Sequence, residues 1–133
     1  MSAARRDGPW PVEIRVYRAE RRLEIDFDDG STFDLPAELL RVESPSAEVQ
    51  GHGPGQKVIV AGKRHVGIEA VEPVGNYAVR IVFDDGHDTG IYAWDYLYDL
   101  GRRREEIWQA YLRALEARGL SRDPPGRGGP SPS

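Results

Sequence analysis

Two stretches of the sequence decide the fold: LEIDFDDGSTFDLPA at residues 23–37 and VRIVFDDGHDTGIYA at residues 79–93. They follow one pattern at a constant offset of 56 residues, which aligns Leu35 with Ile91 and Ala37 with Ala93. In each stretch an alternation of apolar and polar residues precedes a turn signal, a second short strand and a helix start. The repeat therefore predicts an α+β fold, with antiparallel β-strands in two related strand-turn-strand-helix halves and C-terminal helices.

Each copy carries an Asp-Gly pair at its turn, at residues 29–30 and 85–86. A two-residue type I′ turn needs positive φ at both central positions, which Asp-Gly favours. The sequence therefore predicts two tight two-residue hairpins. Residues 12–17 alternate in the same way and predict a strand that pairs with the first copy.

The elements outside the repeat follow from periodicity and from Gly and Pro. Between the copies we expect a short helix at residues 37–41, a loop at residues 43–56 rich in Gly, Pro and Ser, and strands at residues 57–61 and 65–71. A loop of that length in a small domain is usually functional or mobile. After the second copy we expect a helix at residues 93–100 ended by Gly101, and an amphipathic helix at residues 103–118 ended by Gly119.

Length and composition indicate one domain. A chain of 133 residues lies within the single-domain range, and its polar ends predict disordered tails at residues 1–10 and 120–133 around a domain at residues 11–119. The net charge of −4 disfavours a nucleic-acid partner. No apolar run approaches the ~20 residues that span a bilayer, so we expect no membrane association and a cytoplasmic location.

The sequence contains no cysteine, which excludes disulfides, thiolate metal ligands and thiol nucleophiles. Any metal would need histidine and carboxylate ligands. His52 lies in the long loop and His87 directly follows the second Asp-Gly turn, so these two with Glu48 or Asp88 are the candidate ligands for a divalent metal such as zinc or iron. Two histidines without a specific spacing do not by themselves make a site.

Other catalytic patterns are weak. The glycine-rich stretch at residues 51–57 lacks the Gly-x-x-x-x-Gly-Lys spacing of a phosphate loop, and no serine lies in a nucleophile elbow. The six aromatic residues between positions 92 and 111 are expected to pack mainly between the last helices and the sheet. We therefore expect a protein that is not an enzyme, binds no cofactor, and carries an aromatic remainder on a protein-binding surface.

Taken together, the two copies, the SPSAEVQGHGPGQ loop and the segment DDGHDTGIYAWDYLYDLG resemble the DUF971 family, the gamma-butyrobetaine hydroxylase-like N-terminal domain. The resemblance covers about residues 11–119. It implies a domain that occurs alone in bacteria, ahead of an iron and 2-oxoglutarate dependent oxygenase domain, or attached to P-loop scaffold proteins of iron-sulfur assembly. The oxygenase domain is missing from this sequence, so the resemblance does not imply hydroxylase activity.

The resemblance also implies a structural zinc held by three cysteines and a histidine. The cysteine positions fall on Ser44, Ser46 and Val49, and the histidine position falls on His87. Hydroxyls and a valine do not replace thiolates. We expect instead that the loop still folds over His87 and that hydrogen bonds from Ser44 or Ser46 fasten it there.

These observations lead to one expectation and one alternative. We expect a non-catalytic binding or accessory module for an unidentified protein partner, linked through the resemblance to iron-sulfur or iron metabolism. Its partner-binding surface would comprise the loop, the second turn and neighbouring aromatics, with the residues Ser44, Ser46, Glu48, His52, Lys57, His87 and Trp94. The alternative is a metal-binding protein that uses His52 and His87 with a carboxylate.

Overall fold

The computed structural model describes residues 8–51 and 55–124, and its strands form two antiparallel three-stranded sheets. The first sheet has the order β1-β2-β3 and the second the order β4-β5-β6. The strand bounds are β1 Pro11–Tyr17, β2 Arg22–Phe27, β3 Thr32–Pro36, β4 Ile68–Val74, β5 Ala78–Phe83 and β6 Ile91–Ala93. The predicted α+β fold is confirmed, since each half is a small sheet followed by a helix.

Four helices complete the fold: α1 Ala37–Val42, α2 Ala47–Gln50, α3 Trp94–Arg102 and α4 Arg104–Ala117. Helix α1 follows β3 and α3 follows β6, as the repeat predicts. Gly119 at the end of α4 has a φ of 66°, and Leu120 N–H donates to the Leu115 carbonyl. This is the left-handed glycine termination that the sequence indicated.

One apolar core joins the two halves. The side chains of Leu23, Ile25 and Phe27 from β2 and of Val79, Ile81 and Phe83 from β5 are at most 4% exposed and belong to the same cluster. Complete burial of such a side chain contributes roughly 1.5–3 kcal/mol. The repeated apolar positions therefore stabilise the molecule as a single unit.

The two turns differ from the prediction of two-residue type I′ hairpins. In each turn the glycine has a positive φ, 91° at Gly30 and 93° at Gly86, whereas the preceding aspartate does not. Asp29 Oδ1 accepts a hydrogen bond from Ser31 N–H at 2.9 Å, and Asp85 Oδ1 accepts one from His87 N–H at 3.0 Å. Each turn is therefore a three-residue loop with a glycine bulge, in which only the glycine needs a positive φ. The aspartate carboxylate stabilises this loop through its hydrogen bond to the backbone N–H.

The second half also departs from the first by one residue of register. Leu23 lies opposite Leu35 in the first sheet, but Val79 lies opposite Tyr92 in the second. The extra residue is taken up between His87 and β6, and it turns Tyr92 into the core and leaves Ile91 38% exposed. The alignment of Leu35 with Ile91 therefore does not hold in three dimensions.

Each half closes the turn of the other. Arg41 Nε from α1 donates to Asp85 Oδ2 at 2.8 Å, and Tyr98 O–H from α3 donates to Asp29 Oδ2 at 2.7 Å. These two aspartates occupy equivalent positions in the two copies. The exchange of contacts fixes α1 beside the second turn, which positions the chain after α1 for the site described below.

Several predicted elements are corrected by the structure. Residues 57–61 belong to neither sheet, and the strand predicted at residues 65–71 begins instead at Ile68. The predicted loop at residues 43–56 contains α2. Gly101 lies inside α3 rather than after it. A glycine is needed at this position because a Cβ would overlap the Phe33 side chain.

Residues near both ends of the described chain form hydrogen bonds with the rest of the domain. Trp10 N–H donates to Asp28 Oδ1 at 3.1 Å. Near the other end, Gly62 N–H donates to the Ser121 carbonyl, and Arg122 forms two hydrogen bonds with Glu38. Within residues 8–51 and 55–124, none of the helices has the length and apolar character needed to cross a membrane.

Candidate functional site

The chain after α1 folds over the second turn, as the sequence predicts. Ser44 follows α1 directly and is 0% exposed, and His87 follows the turn between β5 and β6 and is 6% exposed. Gly90 passes so close to Ser44 that a Cβ there would lie 2.5 Å from Ser44 Oγ. The absence of a Cβ at Gly90 thus leaves room for the serine beside the histidine.

A short hydrogen-bond chain joins Ser44, His87 and Glu48. His87 Nε2 lies 2.9 Å from Ser44 Oγ, and His87 Nδ1 lies 3.0 Å from Glu48 Oε1. Ser44 Oγ also accepts a hydrogen bond from Ser46 N–H at 3.3 Å. A neutral imidazole with its proton on Nδ1 satisfies every partner, since it donates to the carboxylate and accepts from the hydroxyl; the tautomer is assigned from these partners.

Burial and the positive charge of Arg41 favour this neutral form. Burial lowers the pKa of His87 from its usual 6.5, and the positive charge of Arg41 lowers it further, against the opposing effects of Glu48 and Asp85. Burial also disfavours the ionised form of Asp85, but hydrogen bonds from Lys63, His87 N–H and Arg41 outweigh it and lower the pKa of Asp85 to about 2. His87 is therefore neutral at physiological pH, next to a carboxylate that is ionised at the same pH.

The order Ser–His–Glu is also the order of a hydrolytic triad, but the burial is reversed. In such enzymes the serine oxygen faces the substrate and the acid is buried behind the histidine. Here Ser44 is 0% exposed, whereas the Glu48 side chain is 66% exposed. The arrangement holds the loop in place and presents no nucleophile to solvent.

The residues at the positions of the expected zinc ligands do not fit that metal. Ser44 and Ser46 offer protonated hydroxyls, Val49 is apolar and 2% exposed, and both ring nitrogens of His87 have partners. Within the described residues no group of three or more His, Asp or Glu side chains is placed to hold a metal ion. His52, the other proposed metal ligand, lies outside the described residues, so the metal hypothesis stays a prediction.

Lys57 lies beside this network, on a groove between the segment at residues 57–60 and helices α3 and α4. Lys57 Nζ lies 2.7 Å from Glu43 Oε1, and Tyr96 O–H donates to the Glu43 carbonyl at 2.5 Å. The groove has a volume of about 440 Å³ and an apolar floor that includes Val42 and Leu100. Val58 lies at its rim and is 49% exposed.

The structure separates the predicted surface residues into three groups. Ser44, Ser46 and His87 are buried, so they fix the loop instead of offering contact area. Glu48 and Lys57 are exposed beside them. Trp94 lies elsewhere, since its Nε1 donates to the Asn76 carbonyl next to the start of β5, whereas His87 follows the end of that strand, roughly 20 Å away.

Sequence reasoning missed Arg41, Lys63 and Tyr96. Asp85 was interpreted only as a turn residue, although it also accepts hydrogen bonds from Arg41 and Lys63. A signal existed for Asp85, because its Asp-Gly position places a carboxylate near His87. No local pattern marks Arg41 or Tyr96, because their partners are 44 and 53 residues away in the sequence.

The family model described as gamma-butyrobetaine hydroxylase-like, N-terminal, matches residues 14–98. A search of curated proteins gives no match. The chain is also similar to a protein of unknown function from Acidithiobacillus ferrooxidans ATCC 23270 that belongs to the DUF971 family and was solved as a crystal structure. The two are 46% identical, cover 68% of this chain and 91% of the other, and superpose with a TM-score of 0.58.

Two structures solved by NMR in solution are similar over more of the chain. One is 45% identical, covers 94% of this chain and 98% of its own length, and has a TM-score of 0.78. The other is 52% identical, covers 89% and 88% respectively, and has a TM-score of 0.77. Identities of this size show a shared family as well as a shared fold.

Proposed function

Because the chain belongs to the gamma-butyrobetaine hydroxylase-like N-terminal (DUF971) domain family, we propose that it acts as a non-catalytic module that binds another protein. The contact surface is the exposed part of the pinned loop, Glu48, together with Lys57, Val58 and the groove beside them. The observation that carries the proposal is the Ser44–His87–Glu48 network, which fastens residues 44–48 to the second turn and keeps the Ser44 hydroxyl buried.

A pinned loop is suited to binding because little conformational entropy is lost when a partner contacts it. Loops on a rigid scaffold commonly carry binding residues. The groove, with a volume of about 440 Å³, has an apolar floor and a charged rim. A central apolar area with a polar rim is the usual composition of a protein interface. The net charge of −4 supports a protein in preference to a nucleic acid as the partner.

The finer part of the proposal is a role in iron-sulfur or iron metabolism, which rests on the family resemblance. In that case the partner is a protein of iron-sulfur assembly.

Trp94 and Tyr77 lie outside the proposed surface, at the opposite end of β5. They serve as a reference position for the experiment below.

Site-specific photo-crosslinking in cells tests the proposal. A photoreactive residue at Val58 is expected to capture a defined protein, whereas the same residue at Val12, which is 67% exposed on the first sheet, is not. The captured protein is then purified and titrated against wild type, Glu48→Lys and Tyr77→Lys, with weaker binding expected only for Glu48→Lys. Equal capture at both positions, or no capture, would contradict the proposal. Stoichiometric metal that is lost in His87→Ala would favour the metal-binding alternative instead.

A further inference from the structure

The carboxylate of Glu38, in the first turn of α1, is buried and holds a guanidinium group. Glu38 is 7% exposed, and its two oxygens accept hydrogen bonds from Arg122 Nε at 2.8 Å and from Arg122 Nη2 at 2.7 Å. The same guanidinium lies 5.2 Å from the centre of the Trp108 ring, within the range of a cation–π contact. A carboxylate and an aromatic face together suit arginine better than lysine, because the planar guanidinium matches both. We call Glu38 and Trp108 the arginine site.

The arginine that fills this site belongs to the chain's own C-terminal segment, residues 120–123, which we call the strap. The backbone of the strap is bonded to the segment that precedes β4. Gly62 N–H donates to the Ser121 carbonyl and Arg64 N–H donates to the Arg122 carbonyl, each at 2.9 Å. Main-chain hydrogen bonds combined with a site for one side chain are a common way to recognise a peptide. The strap is therefore held in the way that a bound peptide is held.

The residue after the arginine also has a charged partner. The carboxylate of Asp123 pairs with the guanidinium of Arg64, and the side chains are 63% and 38% exposed. An ion pair with this exposure contributes little affinity, but complementary charge favours one type of partner over another. The arrangement therefore selects a segment in which an acidic residue follows the arginine.

The strap makes little apolar contact with the rest of the molecule. Leu120 is 42% exposed, Ser121 and Asp123 are exposed, and Arg122 is partly buried. Segments that bury little apolar surface open locally at a small fraction of the free energy of global unfolding. The main cost of opening is that the buried carboxylate of Glu38 loses its countercharge. A ligand that brings another guanidinium removes this cost.

A cavity of about 190 Å³ adjoins the arginine site. Glu38 and Trp108 form part of its wall, and Pro36 and Leu39 provide apolar surface beside them. Among the residues that the structure describes, none from the strap lines this cavity. A foreign segment with an apolar side chain near its arginine would fill the cavity and gain the free energy of that burial. This contact is one that the strap does not make.

We propose that the arginine site binds an extended segment of another protein, in which an acidic residue follows an arginine and an apolar residue lies nearby. The strap has the same arginine and acidic residue, and it occupies the site until the partner segment displaces it. A tethered strap competes at an effective concentration of roughly 1 mM, so the partner needs the additional apolar contact. The site shares no residue with the contact surface proposed above, and the inference does not depend on that function.

Titration of the full-length protein with a blocked peptide, Leu-Ser-Arg-Asp-Pro, tests the site. The peptide copies residues 120–124. Arg122→Ala removes the competing side chain and should bind the peptide at least tenfold more tightly than wild type does, whereas Arg118→Ala, at an exposed arginine nearby, should bind like wild type. A peptide with lysine in place of arginine should bind Arg122→Ala at least tenfold more weakly, since lysine forms no bidentate pair. Glu38→Gln in the Arg122→Ala background should abolish the gain.

A measurement on the wild type does not depend on the folding of Arg122→Ala. Seven-residue peptides selected from a random display library should carry an arginine, an acidic residue after it and an apolar residue. When such a peptide binds, the NMR resonance of Arg122 Nε–H should move to the position of a free arginine, while the amides of Gly62 and Arg64 stay protected from hydrogen exchange.

Four results would each overturn the inference. They are equal binding of the arginine and lysine peptides, no gain of binding in a folded Arg122→Ala, a selected peptide that leaves the Arg122 resonance unmoved, and a dimer in which two copies exchange straps. Selection of peptides without arginine would have the same meaning. The capture experiment at Val58 is independent of all of these results, so the failure of one proposal is distinguishable from the failure of the other.

Discussion

At the scale of single residues, the site is decided by which buried polar atoms have partners. Ser44 Oγ is hydrogen-bonded to the imidazole of His87 and to the N–H of Ser46. Ser46 Oγ is buried and has no partner among the described residues. Leaving a buried hydrogen-bonding group without its partner costs about 1–3 kcal/mol, whereas removing an unpaired one costs little. Two serines two positions apart therefore differ in energetic role.

The first prediction uses this pair as matched substitutions. Ser44→Ala leaves His87 Nε2 without a donor and should lower the free energy of unfolding by about 1–3 kcal/mol. Ser46→Ala removes a hydroxyl that has no partner and should leave stability unchanged or slightly raised. Urea unfolding at pH 7.5 measures both. Equal destabilisation by the two substitutions would show that the network does not hold the loop.

The second prediction concerns pH and follows from the lowered pKa of His87. The unfolded chain binds a proton at this histidine near pH 6.5, but the folded protein binds it only at lower pH, so the unfolded state holds more protons in between. The stability from neutral His87 is thus complete above pH 6.5 and is lost as pH falls from 6.5 toward the folded pKa. Asp85 acts in a separate window, between its usual 3.8 and about 2.

Urea unfolding of His87→Gln and His65→Gln between pH 5 and pH 7.5 measures this dependence. His65 is exposed and serves as the control. The loss of stability below pH 6.5 should be smaller in His87→Gln than in wild type and unchanged in His65→Gln. A wild-type slope that survives in His87→Gln would assign the pH dependence to other groups.

At the scale of elements, the repeat predicted the positions of strands, turns and helix starts, but it missed the turn type, the register of the second half and the contacts between elements. Helix α1 and the termination of α4 at Gly119 agree with their local signals. Gly101 was predicted as a helix end, but α3 continues through it because the helix packs closely on Phe33 of β3. A glycine that permits close packing and a glycine that ends a helix look alike in sequence.

The third prediction tests the packing role of Gly101. In an exposed helix interior, Gly→Ala stabilises by about 1 kcal/mol. Here the new methyl group would overlap the Phe33 side chain, so Gly101→Ala should destabilise by about 1–3 kcal/mol, the usual cost of overpacking. Thermal unfolding measures the change, and Phe33→Leu in the same background should recover part of it. Stabilisation by Gly101→Ala would contradict the close contact.

At the scale of the whole molecule, the two halves are one cooperative unit. Both sheets contribute to the same core, and each half supplies the side chain that closes the other's turn, Arg41 on Asp85 and Tyr98 on Asp29. Neither half alone would bury its apolar face. The two copies of the sequence repeat are therefore not two independently stable units.

The fourth prediction is a single unfolding transition. One variant keeps only Trp10, beside the first sheet, and a second keeps only Trp94, beside the second sheet. In each variant the urea midpoint measured by tryptophan fluorescence should equal the midpoint measured by circular dichroism. Fluorescence and circular dichroism together measure this. Two separated midpoints in either variant would mean that the halves unfold independently.

The sequence by itself determined the strand-turn-strand-helix repeat, the antiparallel strands, the C-terminal helices and the loop that meets His87. These follow from local periodicity and turn chemistry, which involve residues a few positions apart. Only the tertiary structure decided the register shift after His87, the Ser44–His87 bond across 43 residues of sequence, and the exclusion of residues 57–61 from both sheets. Each depends on contacts between residues that are distant in the sequence. A segment with high strand propensity therefore does not necessarily pair with another strand.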